Sequence, residues 1–171
     1  MENKSYLMKS AALFGLYMGI FWVLKYLLVI FGGNNEYFNA LYMGFTVSVP
    51  FIAYLFTKHY REQTGNEIFS FFHAWQFGML LYTFAAIIVS LIHFYYYKYI
   101  LGPEGISEAM NQTLSLLSSY KIDSSLLKQV EDITTPSPFQ MTVQGILNNI
   151  LGGAILSIPV ALLVKRENKP I

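Results

Sequence analysis

Apolar positions along this chain gather into four long, nearly uncharged runs separated by polar breaks. The first extends from about Ser10 to Phe31, the second from about Ala40 to Thr57, the third from about Phe71 to Tyr97, and the fourth from about Phe139 to Val164. At a helical rise of roughly 1.5 Å per residue the first run covers about 33 Å, enough to cross a hydrocarbon core. The pattern predicts an all-α integral membrane protein, a four-helix bundle forming a single membrane domain over residues 1–171. The first run is too long for a signal-peptide core, and Gly32-Gly33-Asn34-Asn35 follows it instead of a small-residue cleavage site. Pro50 lies near the middle of the second run and Pro159 within the fourth, so kinks are expected at both. Pro138 suits the first turn of the last helix, where its missing N–H would have no helical partner anyway.

Between the third and fourth runs, a polar segment over about residues 103–135 carries its own helical pattern. Ile106, Met110, Thr113, Leu114 and Leu117 recur at helical spacing and predict an amphipathic helix. A second short helix is expected from Asp123 or Ser124, with Leu126, Leu127, Val130 and Ile133 apolar, broken by Thr135-Pro136-Ser137-Pro138. Such an insert lies on the membrane interface or caps the bundle; the alternative is a lid or a partner-docking surface.

Composition narrows the class further. Of the 171 residues 54% are hydrophobic and 12% charged, the latter about half the usual share of soluble domains. A net charge of +1 lacks the field of a nucleic-acid binder. With no cysteine there is no disulfide framework, thiolate nucleophile or cysteine-based zinc site. Four spans place both termini and the second connection on one side, with Lys4, Lys9, Lys58, Arg61, Lys165, Arg166 and Lys169. The opposite side holds Lys98, Lys121 and Lys128 beside the acidic Glu104, Glu108, Asp123, Glu131 and Asp132. The positive-inside rule then makes both termini cytoplasmic.

Lipid supplies no hydrophobic drive between helices, so small residues and buried polar groups must make the seams. Ala11, Gly15 and Gly19 share one face of the first run, as do Ala74 and Gly78 in the third. Gly145, Asn149, Gly153 and Ser157 do the same in the fourth. Lys25 is the single ionisable residue clearly inside a run, and intramembrane charges are costly and often functional. It lies only seven residues before Gly32, so its stem is expected to snorkel toward that end as an anchor. The candidate polar cluster is Lys25 with Gln144, Asn148 and Asn149, whose amides are expected to point inward. His59 and His73 fall near the charged boundary, where solvated or capping roles cost little, and His93 joins the aromatic belt of Tyr95, Tyr96 and Tyr97. No metal site, cofactor motif or catalytic residues emerge, and a non-enzymatic role is expected.

The stretch Gly65-Asn66-Glu67-Ile68-Phe69-Ser70-Phe71-Phe72-His73-Ala74-Trp75-Gln76-Phe77-Gly78, together with the four-run layout and acidic insert, resembles domain-of-unknown-function family 4199 of Bacteroidota. Within it Ser70 can cap the third helix, while Ala74 and Gly78 offer a close-packing face. The resemblance implies an inner-membrane bundle of a Gram-negative bacterium and carries over no catalytic residue. The function expected is an accessory or assembly subunit in contact with membrane lipids and a protein partner or a second copy. The alternative is a small oligomeric transporter or channel, with Lys25 and the Gln144/Asn148 face lining a path. No nucleic-acid partner is expected.

Overall fold

The computed structural model describes residues 4–33, 35–65, 68–119 and 135–166. Its elements are α-helices α1 (Lys4–Gly32), α2 (Glu36–Thr64) and α3 (Phe71–Tyr95), a π-helical turn (Tyr96–Leu101), then α4 (Gly102–Ser119) and α5 (Pro138–Val164). This is an all-α bundle, and four of its helices are long and apolar enough to cross a membrane. The second short helix expected in the insert lies outside the described residues, as do Lys121, Lys128 and Lys169.

Local chemistry sets the helix ends. Asn35 caps α2, its side-chain oxygen accepting from the Tyr37 N–H at 2.9 Å, and Gly65 closes the helix in the left-handed conformation at φ 63°. Ser70 caps α3 by accepting from the His73 N–H at 3.2 Å. A capping box opens α5: the Ser137 N–H donates to Gln140 Oε1 at 2.7 Å, and the Gln140 N–H donates back to Ser137 Oγ at 3.2 Å. The helices outlast their apolar runs, α1 beginning at Lys4 and α2 continuing to Thr64, because lysine, glutamate and glutamine keep a helix intact in water. Pro50 and Pro159 sit inside α2 and α5 and cannot donate to the carbonyls of Thr46 and Ile155 one turn earlier.

The third helix changes winding where continuous apolar helix was expected up to Tyr97. From Tyr96 the turn widens to π geometry, and the Gly102 N–H donates to the Tyr97 carbonyl. Gly102 holds φ 68° and ψ 175°, the first allowed by its missing Cβ and the second matching the extended backbone that Pro103 imposes on its predecessor.

By contact the chain forms two compact units, Met1–Ser90 with Ile146–Ile171, and Leu91–Gly145. In the first, α3 is the central helix, with Ala74, Phe77, Gly78, Leu81, Tyr82, Ala85, Ala86, Val89 and Ser90 all buried. Phe14 lies against Phe56 with ring centroids 5.1 Å apart, and Phe21 against Phe45 at 5.5 Å, joining α1 to α2. Trp75 Nε1 donates to the Ala154 carbonyl at 2.9 Å and ties α3 to α5. Bulky apolar side chains point outward: Leu13, Ile20 and Leu24 on α1, Met43, Val47 and Phe51 on α2, Leu151, Ile155 and Leu163 on α5. A lipid solvent allows large apolar side chains to face outward, while small residues such as Ala74, Gly78, Ala85 and Ala86 among the buried ones let helices approach closely. In the second unit Ile106 is buried, Ser107 Oγ donates to Thr135 Oγ1 at 3.3 Å, and the Lys98 ammonium lies over the Phe94 and Tyr99 rings.

Candidate functional site

Lys25 is half-buried on α1 and turns toward α2. Its ammonium donates to Thr46 Oγ1 at 3.4 Å and lies 4.8 Å from the centre of the Tyr42 ring and 6.0 Å from that of Trp22. The Thr46 hydroxyl spends its own proton on the Tyr42 carbonyl at 2.8 Å, which leaves its oxygen as the acceptor for the lysine. The expected course along the stem toward Gly32 is not taken. Helical side chains lean toward their own N-terminus, so Lys25 leans back toward Trp22 and away from the nearer helix end. Aromatic faces replace part of the hydration the ammonium gives up. Among the described residues no carboxylate lies within ion-pair distance of it.

The amides of α5 are placed differently from expectation. Gln144 and Asn148 have exposed side chains and Asn149 is half-buried, where an inward set was anticipated. The Lys25 contacts are Thr46, Tyr42 and Trp22, with neither Asn148 nor Asn149 among them; Gln144 belongs to the other unit.

The small residues lie at close approaches. Ala11 and Ala74 are buried, and a Cβ on Gly15 would come within 3.0 Å of the Leu81 carbonyl oxygen. On Gly19 it would meet Ile88, on Gly78 the Ser157 side chain, and on Gly153 the Tyr82 ring. Ser157 Oγ donates to the Gly153 carbonyl at 2.6 Å and so hides its own polarity. Gly145 is looser, with His93 Nδ1 at 3.5 Å from where its Cβ would stand.

A second polar group, at the opposite end of α2, was not anticipated. Tyr60 Oη and His73 Nε2 share a hydrogen bond of 2.9 Å, with both residues buried. The Tyr60 ring stacks on Phe77 at 4.3 Å and 4°, and Tyr6 stacks on it from α1 at 5.9 Å. His73 is therefore a core residue and not the solvated boundary histidine expected; His59, exposed and bonded to Gln63, fits that description. Arg61 Nη1 donates to the Val164 carbonyl at 2.9 Å, satisfying an end group of α5. Phe69 and Arg166 exchange two backbone hydrogen bonds of 2.9 Å, pinning the α2–α3 connection to the chain beyond α5. Tyr60 and Arg166, which bind His73 and Phe69, lie outside the Gly65–Gly78 stretch that carries the family resemblance.

Among the described residues no three His, Asp or Glu side chains gather where they could hold a metal ion. The family described as Protein of unknown function (DUF4199) matches residues 13–166. Neither the curated proteins nor the solved structures gave a match.

Proposed function

The chain belongs to the DUF4199 family, and from that premise we propose that it is a non-enzymatic accessory or assembly subunit of a bacterial inner membrane. The observation that carries this reading is the open glycine face of α5 around Gly152. Asn148 is exposed on a helix apolar enough to span, and a Cβ on Gly152, one turn beyond it, would meet nothing within 4 Å. An open glycine beside the outward Leu151 and Ile155 on a lipid-facing helix suits contact with another protein helix, whose backbone can approach closely there.

The charged end supports a cytoplasmic placement of both termini. Tyr6 packs on Tyr60, and Phe69 pairs with Arg166, so the start of α1, the α2–α3 connection and the end of α5 share one end of their unit. Lys4, Lys9, Lys58, Arg61, Lys165 and Arg166 belong to those segments, as the positive-inside rule requires of a cytoplasmic face.

The chain has no cysteine, so Asn148→Cys introduces a single crosslinking site. Crosslinking in native membranes followed by mass spectrometry should capture a partner chain through position 148 and not through Leu55→Cys on the outer face of α2. A protein that stays partner-free at position 148 overturns the proposal. A second reading, a small oligomeric transporter or channel, draws on the carboxylate-free setting of Lys25. Reconstituted flux that is unchanged in Lys25→Met would remove Lys25 from any path.

A further inference from the structure

We propose that Lys25, Trp22 and Tyr82 form a carboxylate-binding site within the α1–α2–α3 part of the bundle. The inference holds whether the chain serves as a subunit or as a path, because it rests on different atoms from the α5 face. Trp22 is 7% exposed and Tyr82 1%, and their ring centroids are 5.9 Å apart. Among the described residues neither Trp22 Nε1 nor Tyr82 Oη has a hydrogen-bond partner. Both are buried polar groups in an apolar setting, an arrangement that proteins avoid unless something satisfies them. The Lys25 ammonium lies over the same indole, 6.0 Å from the centre of its ring.

The three groups share one chemistry. The indole N–H and the ammonium can only donate, and the phenol is a ready donor. The nearby acceptors are engaged: Thr46 Oγ1 takes the lysine at 3.4 Å, and the Tyr42 carbonyl takes Thr46 at 2.8 Å. Among the described residues the cluster thus holds a positive charge with no carboxylate in ion-pair range and two further donors with no acceptor. A ligand of one negative charge and two acceptor oxygens matches it, whereas a neutral acceptor would leave the charge uncompensated and a dianion would overcompensate it. The Lys25 side is the accessible one, since Thr46 is exposed while Trp22 and Tyr82 are buried. The carboxylate could arrive as a small solute or as a fatty-acid headgroup from the surrounding lipid, and the two sources are separable by experiment.

The chain has two tryptophans, so in Trp75→Phe the emission of Trp22 reports alone. The full chain in phosphatidylcholine nanodiscs would be titrated with acetate, with oleate added to the lipid, and with chloride at matched ionic strength. A saturable change in Trp22 emission is expected with acetate if the ligand is a solute, or with oleate alone if it is lipid-borne. Lys25→Met and Tyr82→Phe should each weaken apparent affinity by about tenfold or more, the loss of one hydrogen bond to a charged group, while Lys25→Arg retains binding. Circular dichroism confirms that each variant is folded; should Trp75→Phe not fold, calorimetric titration of the unaltered chain replaces fluorescence. The proposal is overturned by no saturable response to either carboxylate, by a chloride response as strong as that to acetate, or by unchanged affinity in Lys25→Met or Tyr82→Phe.

Discussion

Replacing Tyr60 with phenylalanine would remove the 2.9 Å bond to His73 while keeping the stack on Phe77. The expected cost is about 1 kcal/mol, the net worth of one hydrogen bond. Tyr60→Ala also removes the ring that Tyr6, Phe69 and Phe77 pack against, and should cost on the order of 3 kcal/mol or more. Reversible unfolding in mixed detergent micelles separates the two values, and equal losses would deny the stack its role. The burial of His73 was out of reach of sequence reasoning because position 73 lies at the edge of an apolar run. It becomes core only when α2 brings Tyr60 over it and Phe69 closes its other side. Lys25 teaches the complementary lesson. Its distance from Gly32 can be counted along the chain, but the backward lean of helical side chains and the position of Thr46 on α2 direct the ammonium toward α2.

Two glycines differ sharply in their surroundings at the scale of helix pairs. Gly78 on α3 faces the Ser157 side chain across the seam with α5, whereas Gly152 on α5 has open space where a Cβ would stand. Gly78→Leu should therefore force α3 and α5 apart and destabilise by roughly 1–3 kcal/mol. Gly152→Leu should leave stability within about 0.5 kcal/mol, and by the proposed function it should abolish crosslinking through position 148. Melting curves and crosslinking yield, measured on the same two variants, keep these effects apart. Ser137→Ala opens the capping box of α5 and should cost about 1 kcal/mol in the same unfolding assay. The four-residue spacing of Ala11, Gly15 and Gly19 showed that they share a face. That this face meets Leu81 and Phe84 of α3 is a matter of how the helices are laid together, which spacing does not encode.

At the scale of the whole chain, the proposed orientation makes an accessibility prediction that the absence of cysteine simplifies. Glu62→Cys, near the end of α2, should react with a membrane-impermeant maleimide only after cells are permeabilised. Glu104→Cys, in the first turn of α4, should react in intact cells. The reverse pattern would invert the topology while leaving the bundle untouched. Membrane class, the four long helices and the Ser70 cap were readable, since each depends on residues close together along the chain and on the length a bilayer demands. The widening of the third helix to π geometry at Tyr96 was not, for no local residue pattern requires it.

Four uncharged runs of bilayer length, bounded by prolines, glycines and capping polar residues, suffice to specify four membrane-competent helices. The reason is that apolar length and backbone satisfaction are properties of each segment alone. Which groups meet is another matter. Lys25 resting on Tyr42 and Thr46, Trp22 and Tyr82 buried side by side, Tyr60 bonded to His73, and the outward turn of Gln144 and Asn148 all depend on the rotation and register of one helix against the next. Those are set by close packing across many small contacts between distant parts of the chain, and they exist only once the helices have come together.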